Sequence, residues 1–202
     1  MKRIMVLVML LSLCCGGGGQ EQLMTEESEI PQKVKSVLIV IAPKNFRDEE
    51  FKEPYDLFTN SGIAVTVAST DTNPAQGMLG MVVEPDITLE QVDPSDYDAL
   101  IVIGGSGCMD LWDNTTLHTI VQTFNGSEKT IAAICLAPVV LGRAGILKDV
   151  EATVYPTARD ELGVCGAHYT ESDVEVSGNI ITCSGPQAAK DFAAAILRAV
   201  SQ

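Results

Sequence analysis

The 202-residue sequence has six cysteines but no pair at CxxC spacing. That absence argues against zinc-ribbon and dithiol redox motifs. Histidine is scarce: His118 and His168 are the only two, and neither stands at metal-ligand spacing. No metal centre is therefore expected. Basic residues are also few, with 13 Lys and Arg against 27 Asp and Glu, for a formal net charge of −14. Nucleic acid as a partner requires clustered cations for its phosphates, so that class is excluded. The sequence lacks an apolar run of the roughly 20 residues that a membrane-spanning helix needs. It also shows no internal repeat. What remains is a globular composition, 46% hydrophobic and 20% charged, long enough for one domain with a sizeable core.

The beginning of the chain is a separate object. Lys2 and Arg3 precede a short apolar stretch, Ile4 to Leu13, and Leu11-Ser12-Leu13-Cys14-Cys15 leads into four glycines. This pattern resembles a bacterial lipoprotein signal, with Cys14 or Cys15 as the lipidated residue. Leu13 departs from the small residue such sites carry before the cysteine, and an uncleaved anchor is the alternative. Residues 1–15 are thus expected to be a lipoprotein-like signal peptide and residues 16–35 a Gly-rich, then acidic, flexible linker. Residues 36–202 form the folded domain. The implied location is outside the cytoplasm, with the membrane reached only through the N-terminal lipid. Export would permit disulfides. However, Cys108, Cys135, Cys165 and Cys183 fall in different elements, and spacing alone pairs none of them.

Within the domain, apolar β-branched runs alternate with helical patterns. Strands are predicted at Val37–Ala42, Ala64–Ser69, Asp98–Ile103, Thr130–Ile134, Ala152–Tyr155, Val174–Ser177 and Ile180–Cys183, with a short extended piece at Met81–Val83. The last two full strands form a hairpin through Gly178-Asn179. Helices are predicted over Asp48–Ser61, with a kink at Pro54, and over Thr116–Phe124, Pro138–Ala144 and Gln187–Val200. This alternation gives an α/β fold, a mostly parallel sheet sandwiched by helices. Ligands in such sheets bind beyond the carboxyl ends of the strands, where Gly104-Gly105 and Cys135 both fall.

The segment Ala132-Ala133-Ile134-Cys135-Leu136-Ala137-Pro138 compresses a strand, a sharp corner and a helix start into seven residues. A residue at such a corner projects outward from a strained backbone, and small neighbours such as Ala133 and Ala137 let the turn close. This is the logic of a nucleophile elbow, with cysteine as the nucleophile. The helix amino end, from Leu136 onward, is expected to favour the thiolate. A lone cysteine is ordinarily an inert packing residue; the corner argues for a reactive one. The N–H groups of Gly105 and Leu136 are natural donors to an oxyanion formed by attack on a carbonyl.

Ala133-Ile134-Cys135-Leu136-Ala137-Pro138 resembles the cysteine elbow of the ThiJ/PfpI superfamily, whose fold is flavodoxin-like and class I glutamine amidotransferase-like. Phe46-Arg47-Asp48-Glu49-Glu50, Ile103-Gly104-Gly105-Ser106-Gly107, Gly166-Ala167-His168-Tyr169-Thr170 and Ser184-Gly185-Pro186 resemble further family signatures, in the family's order. The similarity spans the whole folded domain and is strongest toward the parkinsonism-linked glyoxalase and deglycase branch. It implies that Glu50 is the carboxyl partner of the cysteine, with Glu49 the alternative if the register slips by one. It also implies a small carbonyl substrate, a Cys135 hemithioacetal, no cofactor and a homodimer.

The sequence departs from the family in two places. Leu136 stands where peptidase-like members carry a histidine after the cysteine, which disfavours a peptidase or amidase. Tyr155 stands where another branch has a histidine, and tyrosine is a poor base near neutral pH. Tyr155 and His168 are auxiliary candidates, His168 more readily as a structural hydrogen-bonding residue. Cys108 follows the Gly-rich loop and could approach Cys135. A redox-sensing or chaperone-like protein that uses oxidation of Cys135 is the alternative to an enzyme.

Overall fold

The structure is a computed structural model that describes residues 35–201. The signal-like segment, with Cys14 and Cys15, and nearly all of the linker lie outside the described residues. The chain runs β1 (Ser36–Val40), β2 (Lys44–Phe46), α1 (Asp48–Asn60), β3 (Ala64–Ser69), β4 (Ala75–Gly77), β5 (Val82–Val83), β6 (Ile87–Thr88) and β7 (Ala99–Val102). It continues with α2 (Thr115–Gly126), β8 (Thr130–Ile134), α3 (Pro138–Arg143), β9 (Glu151–Ala152) and α4 (Arg159–Val164). It closes with β10 (His168–Tyr169), β11 (Val174–Ser177), β12 (Ile180–Cys183) and α5 (Ala189–Val200).

Seven strands form the central sheet in the order β11-β12-β8-β7-β1-β3-β6. Every pairing in it is parallel except β11 with β12, the predicted hairpin, where Ser177 faces Ile180. The inner strands are buried on both faces, which is why they read as unbroken apolar runs. Alternate residues of one strand feed opposite cores. Leu38 and Val40 pack with Leu117, Val121 and Phe124 of α2 and with Val140 and Leu141 of α3. Val37 and Ile39 pack with Phe51 and Phe58 of α1 and with Phe192 and Ile196 of α5.

Several boundaries differ from the sequence expectation, each for a local reason. Pro54 lies inside α1 without ending it, leaving only the Glu50 carbonyl without a helical donor. Asn114 caps α2 by accepting the Leu117 N–H (2.9 Å), which starts that helix one residue early. The strand expected over Ala152–Tyr155 is cut to Glu151–Ala152, because the Tyr155 N–H bonds the carbonyl of Cys135 (2.9 Å) instead of a strand. A short 3-10 turn at Pro186–Ala188 precedes α5, and α4 carries no strong sequence signal. A small lateral sheet, β2-β4-β5, lies beside the Gly104–Gly107 loop.

Candidate active site

The site forms where β7 and β8 end side by side. Cys135 follows β8 directly and has φ +63°, the left-handed region that non-glycine residues seldom enter. Its N–H donates to Cys183 O (2.9 Å), and its carbonyl accepts from the Tyr155 N–H (2.9 Å). The peptide that carries the Leu136 N–H is thereby clamped at its carbonyl. On the far side of the corner, the indole N–H of Trp112 donates to the Leu136 carbonyl (2.9 Å). The Arg143 guanidinium stacks on that indole at 5.0 Å and is itself held by Asp113 and Glu161. The elbow is therefore braced by three long-range hydrogen bonds.

Glu50 is fully buried on the first turn of α1. Its Oε2 accepts the Gly104 N–H (3.1 Å). Its Oε1 has no hydrogen-bond partner, and the Cys135 side chain lies beside the carboxyl. Gly104 is what lets the two groups meet. A methyl group on it would sit 2.6 Å from Cys135 Cβ and 2.7 Å from Glu50 Oε2, closer than real contacts allow. The loop must also lie flat against the 44–47 segment. Gly105 (φ +94°) has no room for a side chain beside Asn45 and Arg47, and the Arg47 N–H bonds the Gly104 carbonyl (3.1 Å).

Glu49 points elsewhere. Its carboxylate pairs with Arg47 through Nε (2.8 Å) and Nη2 (3.0 Å) and is partly exposed. The register ambiguity between the two glutamates is thus resolved toward Glu50. Asp48, not singled out by sequence reasoning, is buried and accepts the N–H groups of Leu79 and Met81 (both 2.8 Å). It ties the β4–β5 turn to the start of α1 and so sets the position of Met78 at the cavity edge. Its only sequence signal was a third acid in an acidic run.

Burial pushes the Glu50 carboxyl up to about 8. Burial, then the neighbouring Glu50 charge, pushes the Cys135 thiol up to about 12, against the pull of the Gly105 and Leu136 N–H groups that face the sulfur. This corrects the expectation of a resting thiolate. Helix α3 begins only at Pro138 and is six residues long, so its amino end does not offset the desolvation of the sulfur. Burial thus opposes ionisation of both groups.

Cys135, Glu50, Gly105, Leu136 and Tyr155 all line one cavity of about 270 Å³, joined by Arg47 and Met78. His168 is not brought there: it lies exposed on β10, paired with β9. His118 Nε2 is within hydrogen-bond distance of Trp112 O (2.8 Å), behind the elbow. No histidine lines the cavity. Cys108 and Cys183 are buried free thiols, Cys165 is half-buried, and no disulfide joins the described cysteines. No cluster of metal-binding side chains occurs among the described residues.

The sequence profile of the DJ-1/PfpI family matches residues 35–199. The chain belongs to this family. An uncharacterized protein of Methanocaldococcus jannaschii is 42% identical over 207 residues, covering 100% of this chain and 98% of its own length. A glutathione-independent glyoxalase of Caenorhabditis elegans is 31% identical over 163 residues, 81% of this chain and 87% of its own. Among solved structures, a ThiJ/PfpI domain protein of Brachyspira murdochii superposes with a TM-score of 0.82 at 32% identity, covering 84% of this chain and 98% of that one. The DJ-1/PfpI match extends over the whole described domain, including the elbow, the Gly104–Gly107 loop and Glu50.

Proposed function

We propose that the domain is a cofactor-independent enzyme acting on small reactive carbonyl compounds, of the glyoxalase or deglycase type. The observation that carries this reading is the convergence of the Cys135 sulfur, the Glu50 carboxyl and the Gly105 and Leu136 N–H groups on one cavity. The sulfur adds to the aldehyde carbon, and its proton passes through Glu50 to the carbonyl oxygen, giving a hemithioacetal. The two N–H groups stabilise charge on that oxygen while it forms. With a 2-oxoaldehyde, Glu50 then moves the C1 proton to C2 while the hydroxyl proton on the C1 oxygen passes to the C2 oxygen. The resulting thioester takes up water, releasing a 2-hydroxy acid and restoring the thiol. The net reaction adds one water and neither oxidises nor reduces the protein.

Glu50 must lose its proton to accept that of the thiol. Turnover is therefore expected to be low at acid pH and to rise as pH passes about 8. A peptidase reading lacks an imidazole beside the sulfur. A redox-sensing reading is less favoured, because burial opposes the thiolate that peroxide oxidises. A homodimer, implied by the resemblance to the family, belongs to the same proposal.

The test is methylglyoxal consumption with stoichiometric lactate release by the soluble domain, followed from pH 6 to 9. Turnover that climbs with pH and vanishes in Cys135→Ala supports the reading. No lactate from protein whose thiol is shown to be reduced contradicts it.

A further inference from the structure

Arg47 takes no part in the proton pair, yet it lines the same cavity. Its guanidinium is held in one orientation by the bidentate contact with Glu49, which occupies Nε and Nη2. Nη1 makes no hydrogen bond among the described residues. Arginine is the natural residue for fixing a carboxylate or phosphate, because its charge is permanent and its donors are planar and rigid.

The electrostatics of the cavity point the same way. Its lining holds one permanent cation, Arg47, beside Glu50 and Cys135, with Ser106, Tyr155, Thr157 and Gln187 adding polar groups. Glu50 holds its proton below about 8, since burial disfavours its charge. Glu49 lies outside the lining, with its side chain 41% exposed. Arg47 is thus the permanent positive group on the cavity lining, its charge shared with Glu49, although the chain as a whole carries −14. A chain with so strong a negative excess does not gather anions generally, so a positive group here is a local feature of the cavity.

We propose that Arg47 Nη1 is the anion-recognition group of the cavity, selecting small carbonyl compounds that carry a carboxylate or phosphate near the carbonyl attacked by Cys135. This deepens the carbonyl-enzyme reading and rests on Cys135 being the nucleophile.

Alkylation separates the two claims without requiring turnover. Iodoacetate and iodoacetamide deliver the same carbon to the same thiolate and differ in charge. Their rate ratio therefore cancels any change that Arg47 makes to the thiol itself. The rates at Cys135 are read by peptide mass spectrometry in the folded domain and in the urea-unfolded chain. In the wild type, the iodoacetate-to-iodoacetamide ratio should exceed that of the unfolded chain by about tenfold, the size of one charge-assisted contact. Arg47→Gln should remove that excess, and Arg47→Lys, which keeps the charge but not the fork, should retain part of it. A ratio unchanged in Arg47→Gln overturns the anion site and leaves the nucleophile standing. Failure of both reagents at Cys135 in the folded wild type overturns the nucleophile reading, and the anion site with it.

Discussion

Cys135 and Cys183 finish two neighbouring parallel strands, β8 and β12, with Ile134 and Cys183 side by side in the register. Both are buried, and burial pushes both thiols up to about 12. The two strand ends differ in how the chain leaves them. After Cys135 the backbone turns through the left-handed region and enters α3 within three residues. After Cys183 the chain passes through Ser184 and Gly185 (φ +159°) and reaches α5 only at Ala189. The Cys183 thiol faces the Gly185 carbonyl (3.6 Å), is 0% exposed and lines no described cavity. The Cys135 sulfur faces a carboxyl, two N–H donors and a cavity. Position at a strand end and a raised pKa are therefore shared. What separates the two is the corner that turns one sulfur outward.

The largest expected effect breaks the comparison outright. Cys135→Ala should abolish carbonyl turnover and leave the half-buried Cys165 as the main site of iodoacetamide labelling in the folded domain. Cys183→Ala should leave labelling of Cys135 within about threefold, since it removes only a small buried group. Equal labelling of the two cysteines in the folded wild type would show that the corner confers no advantage.

The next effect sharpens it. Gly104→Ala drives a methyl group between Cys135 and Glu50, and should cost about 1–3 kcal/mol of stability and about 100-fold in turnover through misplacement of the pair. Gly163→Ala is the control. It lies in α4 with open space around it, and should be neutral or stabilising by up to about 1 kcal/mol. Urea midpoints and turnover of the two variants check the contrast, which fails if Gly104→Ala retains wild-type activity.

The sheet was legible because its inner strands are buried on both faces and so are written as continuous apolar runs, Val37–Ala42 and Thr130–Ile134 among them. The two- and three-residue strands of the lateral sheet and β10 were not, apart from the piece at Met81–Val83, and β9 was read as a longer strand, Ala152–Tyr155. Pairings so short are decided by which backbone happens to face them, and carry no periodicity of their own. The elbow was legible because its small residues and Pro138 are local demands of one corner. Glu50 was reached through family resemblance; its burial depends on Gly104, 54 residues away, and no local pattern distinguishes it from Glu49. The braces at Trp112 and Asp48, and the place of Arg47 in the cavity, are long-range in the same sense. The expectation of a resting thiolate weighed the helix amino end without the desolvation that the finished fold imposes on the sulfur.

The proposed chemistry depends on Glu50 sharing a proton with Cys135, and the pH profile of Cys135 alkylation in Glu50→Gln tests it most directly. At pH 9 the wild-type carboxyl, which titrates at about 8, is ionised, and its charge opposes formation of the thiolate. Glutamine removes that charge. The variant thiol should then ionise at lower pH and react about tenfold faster with iodoacetamide at pH 9, while its methylglyoxal turnover falls for want of a proton carrier. Superimposable alkylation profiles for the two proteins would contradict a shared proton.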